Sequence, residues 1–124
     1  MYRSFSSAPG NGQPEKPEIF KKIDQQIKSD KCVVYMKGNA DEPRCGYSRA
    51  VVQVLRMNGA QFKTYDVLSD EPLRNAMKEY SNWPTYPQVY LNGEFVGGCD
   101  ILLSLQKDGA LPNMLKEAGA LAEE

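Results

Sequence analysis

Residues 32–55 read CVVYMKGNADEPRCGYSRAVVQVL, and the pattern of this stretch decides which fold the sequence predicts. The apolar run from Lys31 to Lys37 is typical of a buried strand. The loop 38–44 follows it and leads into Cys45. Beyond that cysteine, apolar residues recur at helical spacing until Asn58-Gly59, where the glycine predicts the end of a helix. A strand, a loop and a helix in this order predict the first half of a β-α-β unit.

The neighbouring segments predict two more helices and a strand. Upstream, a helix begins at residue 18, and its apolar face consists of Ile19, Phe20, Ile23 and Ile27. Downstream, Phe62–Val67 predicts a short strand. Ser69 or Asp70 then caps a helix that has Pro72 in its first turn. The side chains of that helix predicted to face inward are Leu73, Met77 and Tyr80.

The last third of the chain predicts a hairpin and two helices. Asn92-Gly93 between the apolar runs Gln88–Leu91 and Glu94–Val96 is a strong hairpin signal. One helix is predicted to begin at Asp100, and another spans Leu111–Ala118. The complete order is α-β-α-β-α-β-β-α-α, which predicts an α/β fold with a mixed four-stranded sheet and helices on both faces.

These elements predict one domain over residues 18–118. Residues 1–17 are rich in Ser, Gly and Pro and are predicted to be a disordered tail. The start of this tail contains Arg and Ser and no acidic residue, so a transit-peptide remnant and an ordinary flexible tail both stay open as interpretations. Residues 119–124 are predicted to be a flexible C-terminus.

The composition excludes several classes of function. The 124 residues include 15 Lys and Arg against 16 Asp and Glu, so no basic field favours nucleic-acid binding. The absence of His excludes Ser-His-Asp and Cys-His hydrolases and every His-ligated zinc or iron site. The longest apolar runs are far shorter than a membrane span. The chemistry is therefore expected to depend on thiols.

The three cysteines receive different interpretations. Cys45 is predicted to lie at a helix N-terminus, where backbone N–H groups and the helix dipole favour the thiolate. Lys37 and Arg44 are candidate cations beside it. Cys32 lies in the apolar strand and is interpreted as a core residue. For Cys99 two interpretations stay open, a half-buried turn residue and a partner that forms a disulfide with Cys45.

Four separated motifs make the sequence resemble the monothiol glutaredoxins, and most of all their single-domain mitochondrial members. These motifs are Met36-Lys37-Gly38, Cys45-Gly46-Tyr47-Ser48, Trp83-Pro84-Thr85-Tyr86-Pro87-Gln88 and Gly97-Gly98-Cys99-Asp100. The resemblance covers about residues 18–118 and implies a thioredoxin-like fold. It also implies that Pro87 follows a cis peptide bond. Tyr47 departs from the family's usual Phe.

The resemblance further implies a binding site for glutathione. Lys37 and Arg74 resemble the anchors of its glycyl carboxylate, and the backbone of Tyr86 would pair with the extended tripeptide. The turn formed by Gly98, Cys99 and Asp100 would bind the γ-glutamyl end, with the Asp100 side chain facing the ammonium group and capping the helix. Tyr80 and Trp83 are interpreted as packing residues.

Ser48 stands where a dithiol motif has its second cysteine, so exchange within the motif is unavailable. A [2Fe–2S] cluster needs four external thiolates, and two copies of Cys45 with two glutathiones would supply them. The resemblance thus implies a cluster-bridged homodimer that exchanges its cluster with iron–sulfur scaffold and acceptor proteins in the mitochondrial matrix. The alternative is a glutathione-dependent oxidoreductase in which Cys45 is the nucleophile.

Overall fold

The structure, a computed structural model, describes residues 18–121, so the predicted tail 1–17 lies outside the described residues. The predicted order of nine elements is confirmed within this range. The helices are α1 Glu18–Ser29, α2 Gly46–Met57, α3 Glu71–Ser81, α4 Cys99–Lys107 and α5 Ala110–Ala118. The strands are β1 Cys32–Met36, β2 Lys63–Asp66, β3 Gln88–Leu91 and β4 Glu94–Gly97. Among these helices, none combines the length and apolar character needed to cross a membrane.

The four strands form one mixed sheet in the order β2-β1-β3-β4. Strand β1 pairs in parallel with β2, with Val34 opposite Thr64, and antiparallel with β3, with Val34 opposite Val89. The β3–β4 pair is the predicted hairpin, and its turn contains Asn92 and Gly93, both with positive φ. The predicted mixed four-stranded sheet is therefore confirmed.

Strand β1 is buried on both faces, which explains why its sequence is apolar throughout. Val33 and Tyr35 pack in a core with residues of α1 and α3, whereas Cys32, Val34 and Met36 pack with α2, α4 and α5 on the other face. Helices thus cover both faces of the sheet, as predicted. Cys32 is fully buried in the second core, so its interpretation as a core residue is confirmed.

The observed helix starts settle one prediction and correct another. Asp70, not Ser69, caps α3, and its carboxylate accepts the backbone N–H of Leu73 at 3.1 Å. The prediction that Asp100 begins and caps the following helix is wrong. Gly98 is the N-cap of α4 and Asp100 is its second residue. Gly98 packs closely against Pro87, since a Cβ on Gly98 would lie 3.1 Å from the Pro87 carbonyl oxygen. A glycine fits this N-cap position because it has no Cβ.

The ordered domain also extends past the predicted boundary at residue 118. Ala120 is buried, and its carbonyl oxygen accepts the backbone N–H of Gln61 at 2.6 Å. Leu121 forms an isolated bridge with Ala60. The flexibility predicted for 119–124 stays a prediction, with contacts to the domain at 120 and 121, and residues 122–124 lie outside the described residues.

Candidate functional site

Cys45 is the N-cap residue of α2, with an extended backbone and a half-buried side chain. Its Sγ accepts the backbone N–H of Ser48 at 3.3 Å, and the hydroxyl oxygen of Ser48 also lies 3.3 Å from Sγ. Ser48 itself is fully buried, and its hydroxyl oxygen accepts the backbone N–H of Lys37 at 3.2 Å. Ser48 thus links the end of β1 to the start of α2 by hydrogen bonds, and it contacts the Cys45 thiol.

These contacts favour the ionised form of Cys45. Partial burial of the thiol opposes ionisation, but hydrogen bonds from the Ser48 side chain and from the backbone of Ser48 and Tyr47, together with the charge of Lys37, hold the pKa of Cys45 below its ordinary value. Arg44, the second predicted cation, is instead 3.8 Å from the Glu42 carboxylate. Cys45 therefore has a partly accessible thiol that ionises more readily than an ordinary cysteine, which favours nucleophilic or metal-binding chemistry.

Replacing Ser48 by alanine should raise the pKa of Cys45. The substitution removes one hydrogen bond to the thiolate and keeps the backbone N–H of residue 48. Because the thiolate reacts with iodoacetamide, the pH midpoint of alkylation should move upward, and the rate below that midpoint should fall. The exposed Ser104 on α4 offers a matched control. An unchanged midpoint in Ser48→Ala would show that the hydroxyl does not stabilise the thiolate.

The other two cysteines are not activated in this way. Burial, followed by the charge of Asp30, raises the pKa of Cys32 to about 12. Cys99 is the first residue of α4 and only 8% exposed. Burial, then the charges of Asp100 and Cys45, raises the pKa of Cys99, so the Cys45 thiol is close enough to affect it. The two thiols are thus brought together, and the resting form of Cys99 is the neutral one.

The peptide bond between Tyr86 and Pro87 is cis, as the resemblance implied. Gln88 holds the segment before it, because its side-chain amide donates to the carbonyl oxygens of Trp83 at 3.0 Å and Thr85 at 3.2 Å. Trp83 packs against Phe95, with ring centroids 5.4 Å apart, which agrees with its interpretation as a packing residue. The positioning role of Gln88 was missed, although a polar residue at the start of a buried strand was a usable signal.

The loop between β1 and Cys45 is held by a second residue that the sequence analysis missed. The Asp66 carboxylate accepts the backbone N–H of Gly38 at 3.0 Å and that of Leu68 at 2.8 Å. The backbone N–H of Arg44 donates to the carbonyl oxygen of Lys37 at 2.8 Å, which closes the loop on itself. Asp66 lies at the end of β2, and only the parallel pairing of β1 with β2 brings it to this loop.

The remaining predicted residues contact one another or lie beside Cys99. The Tyr86 hydroxyl donates to the carbonyl oxygen of Arg74, and the charge of the Arg74 guanidinium reaches that hydroxyl. Gly98 lies against Pro87, and Asp100 is exposed on the first turn of α4 beside Cys99. The charge of Lys37 thus acts on Cys45 and that of Asp100 on Cys99, whereas the charge of Arg74 acts on Tyr86.

The described residues of one chain do not supply a complete set of metal ligands. Among residues 18–121, no group of three or more His, Cys, Asp or Glu side chains could hold a metal ion. Cys45 is the thiol of the site whose pKa is lowered, and Ser48 stands where a dithiol motif has its second cysteine. A thiolate-ligated cluster at this site would therefore need ligands from outside the chain.

Comparison with known proteins identifies the family. The glutaredoxin family model matches residues 32–96. An uncharacterized monothiol glutaredoxin of Synechocystis is 53% identical over 102 residues, which cover 82% of this chain and 95% of the relative. The chain belongs to the monothiol glutaredoxins. The mitochondrial glutaredoxin-related protein 5 of Danio rerio is 51% identical to this glutaredoxin over 100 residues, which cover 80% of this chain and 64% of the relative.

A solved structure confirms the fold of this glutaredoxin. The buckwheat glutaredoxin in the crystal structure of its glutathione complex is 29% identical and superposes with a TM-score of 0.75, covering 84% of this chain and 93% of that chain. The predicted thioredoxin-like glutaredoxin fold, a four-stranded mixed sheet with helices on both faces, is therefore correct. The β1–loop–α2 segment on which the prediction rested lies within the residues that the family model matches.

Proposed function

We propose that this glutaredoxin binds glutathione beside Cys45 and carries a [2Fe–2S] cluster between two protomers, which it transfers during the assembly of iron–sulfur proteins. The observation that carries this proposal is a single thiol with a lowered pKa at the start of α2, with Ser48 in place of a second one. Because Ser48 cannot resolve a mixed disulfide, a stable thiolate ligand is the better use of this site.

The number of ligands supports the proposed assembly. A [2Fe–2S] cluster takes four external thiolates, so one Cys45 and one glutathione per protomer complete the set when two protomers meet. Cys45 is the only residue of the chain that this scheme assigns to the metal. The cluster would be transferred to an acceptor by exchange of the small glutathione ligands, without unfolding of the protein.

The cleft has charges that suit glutathione, which carries two carboxylates and one ammonium group. Lys37 and Arg74 are the proposed partners of the glycyl carboxylate, and the Tyr86 backbone is the proposed partner of the extended peptide. At the other end, the backbone of Gly98 and Cys99 would bind the γ-glutamyl carboxylate, since α4 begins there with its N-cap side free of a capping side chain. Asp100 would bind the ammonium group.

Arg74 gives this glutathione site a direct test. Arg74→Gln should weaken glutathione binding about tenfold, because a charge-assisted hydrogen bond to the glycyl carboxylate is lost. The dissociation constant is measured by following backbone amide signals during a glutathione titration of the apo protein. Arg56→Gln is the control, since Arg56 is an exposed arginine in the last turn of α2 that pairs with Asp41. Equal affinity in the two variants would contradict the role of Arg74.

Exposed apolar side chains near the thiol support pairing of two protomers. Tyr47 follows Cys45 in the motif by two positions and is 66% exposed. Ile101 contacts the turn at Gly97 and is 39% exposed. A second protomer placed over Cys45 would cover such side chains and remove their apolar surface from water.

A second candidate function rests on the lowered pKa of Cys45. In a glutathione-dependent oxidoreductase, the Cys45 thiolate would attack the glutathione sulfur of a protein mixed disulfide and release the protein thiol. A second glutathione would then reduce the Cys45–glutathione disulfide and leave as glutathione disulfide. This reaction uses the same cleft and needs no second cysteine in the motif.

Anaerobic reconstitution with iron, sulfide and glutathione separates the two functions. A cluster carrier should gain visible absorbance and dimer mass, and both should require glutathione. Rapid turnover of a glutathione mixed disulfide, in a chain that gains neither absorbance nor dimer mass, would reject the carrier proposal in favour of the enzyme.

We place this function in the mitochondrial matrix. The zebrafish relative and a Schizosaccharomyces pombe relative are named as mitochondrial proteins, whereas a rice relative is named as chloroplastic. Imaging of the full chain fused at its C-terminus to a fluorescent protein tests the assignment. Signal that coincides with a plastid marker or stays diffuse would contradict it.

A further inference from the structure

A cavity of about 410 Å³ lies away from the thiol, between α1, the end of α3 and the β3–β4 hairpin. Its aromatic lining residues are Phe20, Tyr80, Tyr90 and Phe95. The Phe20 and Tyr80 rings are nearly perpendicular with centroids 5.4 Å apart, and the Tyr90 and Phe95 centroids are 5.3 Å apart. The proposed glutathione site uses none of these residues. Aromatic rings that line a cavity can attract an organic cation.

Asp24 adds a negative charge to this aromatic lining. It is half-buried, and its carboxylate accepts a hydrogen bond from the Tyr80 hydroxyl. None of the salt bridges between described residues involves Asp24. Burial raises the pKa of both Tyr80 and Tyr90, so these phenols stay neutral and Asp24 is the acidic residue of the lining.

Tyr90 contributes its ring, and not its hydroxyl, to the lining of this cavity. The residue is only 2% exposed, and its phenol oxygen is buried within reach of the Ser81 hydroxyl. The Ser81 hydroxyl in turn donates to the carbonyl oxygen of Met77 at 2.7 Å. The polar groups that a ligand in the cavity can reach are therefore those of Asp24 and Tyr80.

We propose that this cavity binds the side-chain ammonium group of a lysine from a protein partner. The Asp24 carboxylate and the phenol oxygen of Tyr80 accept hydrogen bonds from the ammonium group, and the neighbouring aromatic rings attract its charge. The butyl chain of the lysine lies against Phe20 and Phe95. Tyr80, which the sequence indicated as a packing residue, therefore also contacts the proposed ligand.

The charges at the rim favour a lysine side chain over a free polyamine. The Lys28 side chain runs beside Gly93, since a Cβ on that glycine would lie 3.4 Å from Lys28 Cγ. A ligand with two or more positive charges would be repelled there, whereas one ammonium group balances Asp24. Phe95 belongs to β4, an edge strand of the sheet, which an extended segment of a partner can approach.

The test uses short blocked peptides and the full apo protein. One peptide contains a central lysine, one contains Nε-acetyl-lysine and one contains norleucine, with identical flanking residues. The lysine peptide should shift the backbone amide signals of Ser81 and Gly93. Its dissociation constant should be about tenfold lower than that of either neutral peptide. Equal affinity of the three peptides would overturn the proposal.

Asp24→Asn is the matched variant, because it keeps the size of the side chain and removes the charge. It should weaken the lysine peptide about tenfold and leave the norleucine peptide unchanged. Asp108→Asn, at the exposed C-cap of α4, is the control and should bind like the parent chain. Equal binding by the Asp24→Asn variant and this control would overturn the role assigned to Asp24.

Two further arms identify the occupant. Tighter binding of putrescine than of the lysine peptide would point to a free polyamine and overturn the assignment to a protein. The chain's own residues 1–17 contain Arg3 and Lys16. If the variant Arg3→Gln/Lys16→Gln bound the lysine peptide more tightly, the chain itself would be the competing occupant, and the proposal of a protein partner would fall.

Discussion

Cys45→Ser should abolish cluster loading in a chain that still folds. After anaerobic reconstitution, the variant should show neither visible absorbance nor a shift to dimer mass. The reason is chemical, because a serine hydroxyl does not ionise near neutral pH and so cannot replace the thiolate ligand. Its reaction with glutathione disulfide should fall by about 1,000-fold or more for the same reason.

The fold should survive this substitution because serine is a favoured N-cap residue. Cys45 caps α2 by accepting the backbone N–H of Ser48, and a serine oxygen can accept the same hydrogen bond. The free energy of unfolding should therefore stay within about 1 kcal/mol of the parent value. Circular dichroism during urea unfolding measures it.

Cys99→Ser is the matched control for the loss of a thiol. Cys99 is close to Cys45, but its pKa is raised, and the proposed scheme gives it no role as a metal ligand. This variant should therefore load a cluster normally. Normal loading of the Cys45→Ser variant, or equal loss in both variants, would refute Cys45 as the metal ligand of the chain.

Gly38→Ala should lower the free energy of unfolding by about 2–4 kcal/mol. Gly38 has φ +89°, and a Cβ on it would lie 2.8 Å from the backbone nitrogen of Arg44 and closer still to the carbonyl oxygen of Glu42. Both obstacles are backbone atoms of the loop that leads to Cys45. The loop itself must therefore move to accept the added methyl group, and the thiol that follows it should be displaced.

Gly59→Ala separates the steric clash from the unfavourable φ. Gly59 has φ +73°, similar to Gly38, but a Cβ there would meet no atom within 4 Å. Gly59→Ala should lower the free energy of unfolding by about 1 kcal/mol, which is the cost of the left-handed conformation alone. Urea unfolding compares the two variants, and iodoacetamide alkylation should show a disturbed Cys45 only in Gly38→Ala. An equal decrease in the free energy of unfolding in both variants would mean that the loop 38–44 accommodates the added methyl group without strain.

Local patterns were sufficient to predict most of the elements of this glutaredoxin. The apolar run of β1, the Asn92-Gly93 turn and the spacing of apolar residues in α2 each depend on residues close together in sequence. The position of Cys45 at a helix start was predictable for the same reason, and the hydrogen bonds at its Sγ come from residues within the same turn. The chemistry of the thiol is thus largely a local property.

Long-range pairing decided the features that the sequence analysis missed. The N-cap of α4 moved from Asp100 to Gly98 because Gly98 packs against Pro87, more than ten positions away in the chain. Ala120 and Leu121 pair with Gln61 and Ala60, again from a distant segment. Neither contact leaves a periodic or turn signal in the sequence.

The order of the elements and the position of Cys45 at a helix start could thus be predicted from the sequence alone, because periodicity, turn residues and helix capping act over a few neighbouring positions. Assembly of the sheet was needed to bring Asp66 to the loop at Gly38 and to gather Asp24, Tyr80 and Tyr90 around one cavity. Such arrangements depend on which strands pair and which helices cover them, and those contacts join residues that are far apart in the sequence.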